Sequence, residues 1–134
     1  MSAEHYRESV EAFNRRDWDG FCALMDEDIE VESRLTQMEG IYRGHAGLRR
    51  WWDDLLSAIP DYVLELDDVR DLGDFALAHG RGLLANKAPL VDAIWQPSEW
   101  RGRKCVWWKV CLSEAEARAA IEARSCGAGG ASSR

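Results

Sequence analysis

Few residues in this 134-residue chain combine a chemically useful side chain with a useful spacing. His79 and Arg81 stand two apart in the run Phe75 to Leu84. On an extended strand that spacing projects both to one side, together with Leu77 and Leu83. A guanidinium beside an imidazole favours the neutral ring and leaves a nitrogen able to accept a proton near neutral pH. The same guanidinium can hold a carboxylate or an enolate-like oxygen by two parallel hydrogen bonds. The pair fits acid–base chemistry on a carbonyl compound, with His79 as base and Arg81 as anion holder. Phe75, Ala76, Leu77 and Ala78 are apolar on both parities, so three placements stay open: an internal cavity, a dimer face, or a structural pair with Asp92.

The other candidates carry less. Glu30 and Glu32 alternate with Ile29, Val31 and Ser33, which puts the two acids on the wet side of a strand. Asp92 is the one acid on a later strand that can point inward, and its register is open between the parities of Trp95 and Gln96. Cys22, Cys105, Cys111 and Cys126 form no C-x-x-C pair and have no histidine at zinc spacing, so they read as free thiols with no metal. His45 follows Gly44 at a helix start and reads as a packing or capping residue.

These residues need elements to hold them. Tyr6, Val10 and Phe13 recur at helical spacing, with Ser9 on the same side. Asp17 is placed to cap a short helix that carries Trp18, Phe21, Leu24 and Met25. A strand is predicted over 28–33 and a short extended piece at Gly40-Ile41-Tyr42. Leu48, Trp52, Leu55 and Ile59 then mark a helix that Pro60 ends. Tyr62, Leu64 and Leu66 alternate into a hairpin at Leu72-Gly73-Asp74, followed by strands over 75–84, 90–100 and 104–112. Ser113 caps a short closing helix, with Glu116 at the capping-box position. Residues 1–123 read as one domain, and 124–134, rich in Gly, Ala and Ser, as a disordered tail. Helices followed by a run of strands indicate an α+β fold: a curved antiparallel sheet wrapped around helices, with a cavity between them.

Several stretches resemble the SnoaL-like proteins of the nuclear transport factor 2-like superfamily. They are Asn14-Arg15-Arg16-Asp17-Trp18-Asp19-Gly20-Phe21, Met25-Asp26-Glu27-Asp28-Ile29-Glu30-Val31, Gly40 to Gly47, Asp71 to Asp74 and Ser113 to Ala117. The resemblance covers about residues 4 to 122. It implies a conical, cystatin-like α+β barrel that is commonly dimeric, and it leaves the activity open because the fold hosts isomerases, cyclases, hydrolases and non-enzymes. By alignment with ketosteroid isomerase relatives, Ser33 takes the place of the base, Ser9 that of the oxyanion-hole tyrosine, and Gln96 falls near the third position. The isomerase triad is absent. The same alignment puts Leu77, His79 and Arg81 on the concave side. The expected pocket is Ser9, Phe13, Ser33, Trp52, Leu55, Leu77, Gln96 and Trp108, with His79 and Arg81 as the catalytic pair.

Composition bounds the partners. With 24 acidic against 17 basic residues the net charge is −7, the wrong sign for a nucleic-acid surface. No apolar stretch is long enough to span a membrane, and the N-terminus lacks a signal peptide's basic and apolar regions, so a cytoplasmic protein is expected. Seven tryptophans must line a core, a cavity or an interface. Trp107, Cys105 and Cys111 share a parity opposite to Trp108, which predicts an apolar outer face covered in a homodimer. The reading at this point is a small apolar or aromatic guest, no cofactor, and acid–base chemistry or, alternatively, a non-catalytic dimeric binding or association module.

Overall fold

The computed structural model describes residues 2–33, 41–84, 86 and 88–132, apart from the side chains of residues 91, 92 and 127–132. The chain opens with α1 (Ser2–Asn14) and α2 (Trp18–Ala23), enters the sheet with β1 (Met25–Glu32) and β2 (Ile41–Arg43), and returns to helix in α3 (Gly44–Ala58). Four strands follow, β3 (Val63–Leu72), β4 (Phe75–Leu83), β5 (Pro89–Arg101) and β6 (Lys104–Lys109), and α4 (Glu114–Ser132) closes the chain. The expected α+β class holds, and the six strands form one curved sheet that stays open, in the order β2-β1-β6-β5-β4-β3. Every pair is antiparallel except β1 with β6. That pair is parallel because the whole meander separates its strands, a connection long enough to return the chain in the same direction.

The motif at the end of α1 is a fastening. Asn14 Nδ2 donates to the Leu64 carbonyl at 2.9 Å, and the Leu64 amide donates back to Asn14 Oδ1 at 3.0 Å. The side chain thus supplies both halves of a backbone pairing to β3. Arg16 turns the chain with a φ of 61°, and its guanidinium donates to the carbonyls of Pro60 at 2.9 Å and Tyr62 at 2.6 Å. Asp17 caps α2 by accepting from the Gly20 amide at 3.0 Å. The helical layer is thereby pinned beside the start of β3, where Tyr62 enters the core.

Aromatic rings fill most of the space between helices and sheet. Phe13 is 5.3 Å from Trp52, 5.7 Å from Trp51, 6.1 Å from Tyr62 and 6.2 Å from Phe21, ring centre to ring centre. Each such pair adds about 0.5–1.5 kcal/mol beyond its buried area.

The opposite sheet face departs from expectation. Leu77, Cys111 and Ala117 form a separate buried cluster with Trp95 and Ile121, so the chain's own α4 covers the face assigned to a second copy. Arg124 fastens this helix. It donates to Glu99 at 2.8 Å and to Glu30 at 3.4 Å, and its guanidinium lies 4.8 Å above the Trp107 ring. Trp107 Nε1 in turn donates to Glu32 at 2.8 Å. The tail expected to begin at Arg124 is therefore helical where it begins, because that residue has three anchors on the sheet. Cys105 also departs from its expected parity. Glu99 pairs with Trp107 and Trp100 with Cys105, which leaves Val106 as a bulge residue and turns Cys105 inward.

Candidate functional site

The hollow between α1, α3 and the sheet narrows to a void of about 50 Å³. That is room for a few waters, whereas pockets for drug-sized ligands measure roughly 300–1,000 Å³. The wide dry cavity expected from the sequence is thus largely occupied by rings. Its wall is mostly apolar, formed by Val10, Phe13, Phe21, Trp51, Leu55, Trp100 and Trp108 among others. No Asp, Glu, His, Lys or Arg is among the described residues that line it.

Polar tips nevertheless reach inward. The Tyr6 hydroxyl donates to Gln96 Oε1. Burial raises the Tyr6 hydroxyl well above the ordinary phenol range, and the neighbouring Tyr62 and Cys105 add to the effect. Burial alone pushes Tyr62 up to about 12. Both phenols therefore stay neutral and act as hydrogen-bond donors. Ser9 spends its hydroxyl on the Tyr6 carbonyl at 2.6 Å, inside its own helix. The Cys105 thiol donates to the Trp107 carbonyl at 3.3 Å. Its burial pushes the pKa upward, so it stays an unreactive thiol. Trp51 Nε1 and the Tyr62 hydroxyl have no partner among the described residues.

Six residues expected in the pocket line this void: Ser9, Phe13, Ser33, Leu55, Gln96 and Trp108. Four others do not. Trp52 packs behind Phe13 and against Trp18, 5.2 Å away, while its neighbour Trp51 meets Trp108 edge-on at 4.8 Å across the wall. Leu77 lies under α4. His79 and Arg81 project from the same outer face. His79 stacks on Trp95 at 4.2 Å with Asp67 3.9 Å away, and the exposed Arg81 pairs with Glu65. The concave side of β4 belongs to Ala76 and Ala78, both in the main core. A strand pressed against a helix needs small side chains there, and β4 alternates Ala76, Ala78, Gly80 and Gly82 with larger residues. That alternation is the signal that marks the inward parity.

Of the remaining candidates, Glu30 and Glu32 serve Arg124, Arg43, Trp107 and Lys109 on the outer side, and the side chain of Asp92 lies outside the described residues. His45 Nε2 sits 3.0 Å from the Met25 carbonyl, a packing role. Among the wall residues that sequence reasoning left unassigned are Tyr6, Tyr62 and Trp51. Their apolar bodies are visible in the helical and alternating patterns, but the positions of their polar tips are not.

Comparison with known proteins places this arrangement. No curated protein matches the chain. Among solved structures, a SnoaL-like protein of unknown function from Burkholderia thailandensis is 21% identical over 84% of this chain and 94% of its own, with a TM-score of 0.68. An uncharacterized cystatin-fold protein from Novosphingobium aromaticivorans is 19% identical, covers 83% and 98%, and has a TM-score of 0.66. TerC co-crystallized with polyporic acid is 18% identical, covers 89% and 96%, and has a TM-score of 0.71. At such identities these structures share the fold. The family model of the SnoaL-like domain matches residues 6–111, and with most of its length so matched the chain belongs to the SnoaL-like family.

Proposed function

We propose that this chain binds an uncharged, largely apolar small molecule between α1, α3 and the concave sheet face. The observation that carries this reading is a wall of apolar rings in which a few neutral polar tips converge. Such a wall orients a guest through its oxygen atoms while the remainder is held by apolar contact. TerC, which shares this fold and was co-crystallized with polyporic acid, supports small-molecule binding as a use of the fold. The Trp51 and Trp108 rings meet edge-on in this wall, so a guest that enters beside them is read in tryptophan emission.

The described wall offers no carboxylate or imidazole to take a proton, which favours binding over proton abstraction by an ionisable side chain. The Tyr62 hydroxyl, whose hydrogen has no acceptor among the described residues, is the wall group able to polarise a bound carbonyl, since Tyr6 donates to Gln96. The alternative, a dimeric association module, is less favoured because α4 covers the apolar outer-face residues that argued for a partner.

A thermal-shift screen with neutral aromatic ketones and hydrocarbons tests the reading. A ligand at 100 times its dissociation constant adds about 2.7 kcal/mol of stability. No shift with any compound, together with a stable dimer on size exclusion, establishes the association module instead.

A further inference from the structure

Two hydrogen-bond donors in the cavity wall have no acceptor among the described residues. Trp51 is 5% exposed and Tyr62 3%, and neither the indole Nε1 nor the phenolic oxygen finds a partner among the described residues. The two rings flank Phe13, with centres 5.7 and 6.1 Å from it, and both residues line the same void. Folded proteins satisfy nearly all such buried groups, so two unpaired donors in one cavity call for an explanation.

Their chemistry narrows it. An indole N–H donates and accepts nothing, and Tyr62 is kept in its protonated form by burial. Tyr6, the other phenol in the wall, already donates to Gln96. The acceptor oxygens of Ser9, Ser33 and Gln96 line the same void, yet none of them pairs with Trp51 or Tyr62. Nor is the placement of Tyr62 incidental. Arg16 holds its carbonyl at 2.6 Å, and its ring lies over Gly82, where a Cβ would fall 2.9 Å from the phenolic oxygen. Accepting the cavity as a small-molecule site, we infer that Trp51 and Tyr62 are its specificity-determining residues, and that the guest carries two separated acceptor oxygens (carbonyl or cyclic ether) and no charge. Diones and chromanone-like bicyclic ketones are the class that fits.

A matched series tests this on the full chain by calorimetry and tryptophan emission: tetralin with no acceptor, α-tetralone with one, chromanone with two, and a tetralin carboxylate. Each oxygen is expected to tighten binding by about three- to tenfold, and the carboxylate to bind more weakly than tetralin. Tyr62→Phe keeps the ring and removes one donor. It is expected to abolish one step of that ladder, leave tetralin affinity unchanged, and leave the unliganded melting temperature equal or higher, since an unpaired buried hydroxyl is gone. Equal affinity for tetralin and chromanone overturns the inference while leaving the cavity a binding site. So does a Tyr62→Phe variant that melts earlier and loses affinity for all three compounds alike. No binding by any compound, including the two ketones, overturns the underlying reading itself.

Discussion

Tyr6 on α1 donates its phenolic hydrogen to Oε1 of Gln96 on β5, a partner 90 residues further along the chain. The bond joins the helical layer to the middle of the sheet inside an apolar wall, where a polar group left alone is costly. Tyr6→Phe should therefore cost about 1–3 kcal/mol in urea unfolding, most of it from the stranded Gln96 amide. The double variant Tyr6→Phe, Gln96→Leu should recover much of that loss, and the double-mutant cycle measures the coupling.

His79 lies on the outer face, stacked on Trp95. His79→Ala should leave affinity for any cavity guest within about twofold of the parent, because no atom of the ring lines the void. Calorimetric titration of the parent and the variant checks this. A loss of tenfold or more would return His79 to the site.

Both cavity phenols have raised folded-state values against an ordinary 10.0, Tyr62 at about 12 and Tyr6 raised as well. Above pH 10 the unfolded chain releases these protons while the folded chain keeps them. Stability is thus fully present below about pH 10 and falls as pH rises through the folded values, by about 1.4 kcal/mol per pH unit for each group. Urea titrations between about pH 8 and 12 should show this fall. Tyr62→Phe should make it shallower.

Gly80 and Gly82 face neighbours at close range. A Cβ on Gly80 would fall 2.3 Å from the Glu65 carbonyl oxygen, a backbone atom that cannot turn aside. A Cβ on Gly82 would fall 2.8 Å from the Tyr62 ring, and a ring at the cavity edge can yield. Gly80→Ala should therefore destabilise more than Gly82→Ala, which should cost about 1–3 kcal/mol and alter ligand affinity through Tyr62. Thermal denaturation of both variants settles the order.

Arg124 holds α4 through Glu99, Glu30 and the Trp107 face. Arg124→Ala should cost about 1 kcal/mol, since the group is partly solvated, and should raise acrylamide quenching as Trp107 is uncovered. Arg124→Lys should not restore the parent, because an ammonium cannot stack and fork in the same way.

The sequence carried the fold and part of the wall for a definite reason. Tyr6, Ser9, Val10 and Phe13 repeat at helical spacing, and Tyr62, Leu64 and Leu66 alternate, so the inward sides of α1 and early β3 follow from period alone. The matched residues 6–111 agree with the family read from the Asn14 to Phe21 and Gly40 to Gly47 stretches.

Where a pattern is degenerate, the sequence could not choose. Phe75 to Ala78 is apolar on both parities, and the inward side shows only in the longer alternation of the small residues Ala76, Ala78, Gly80 and Gly82, which sets His79 and Arg81 outward. A single bulge at Val106 reverses Cys105, and α4 hides Trp107 where a partner was expected. Trp51 displaced Trp52 from the wall because adjacent helical positions differ by about 100° and both are large and apolar. Period and composition are properties of the chain and can be read along it; which of two apolar faces is buried depends on what packs against it, and that exists only once the chain has folded.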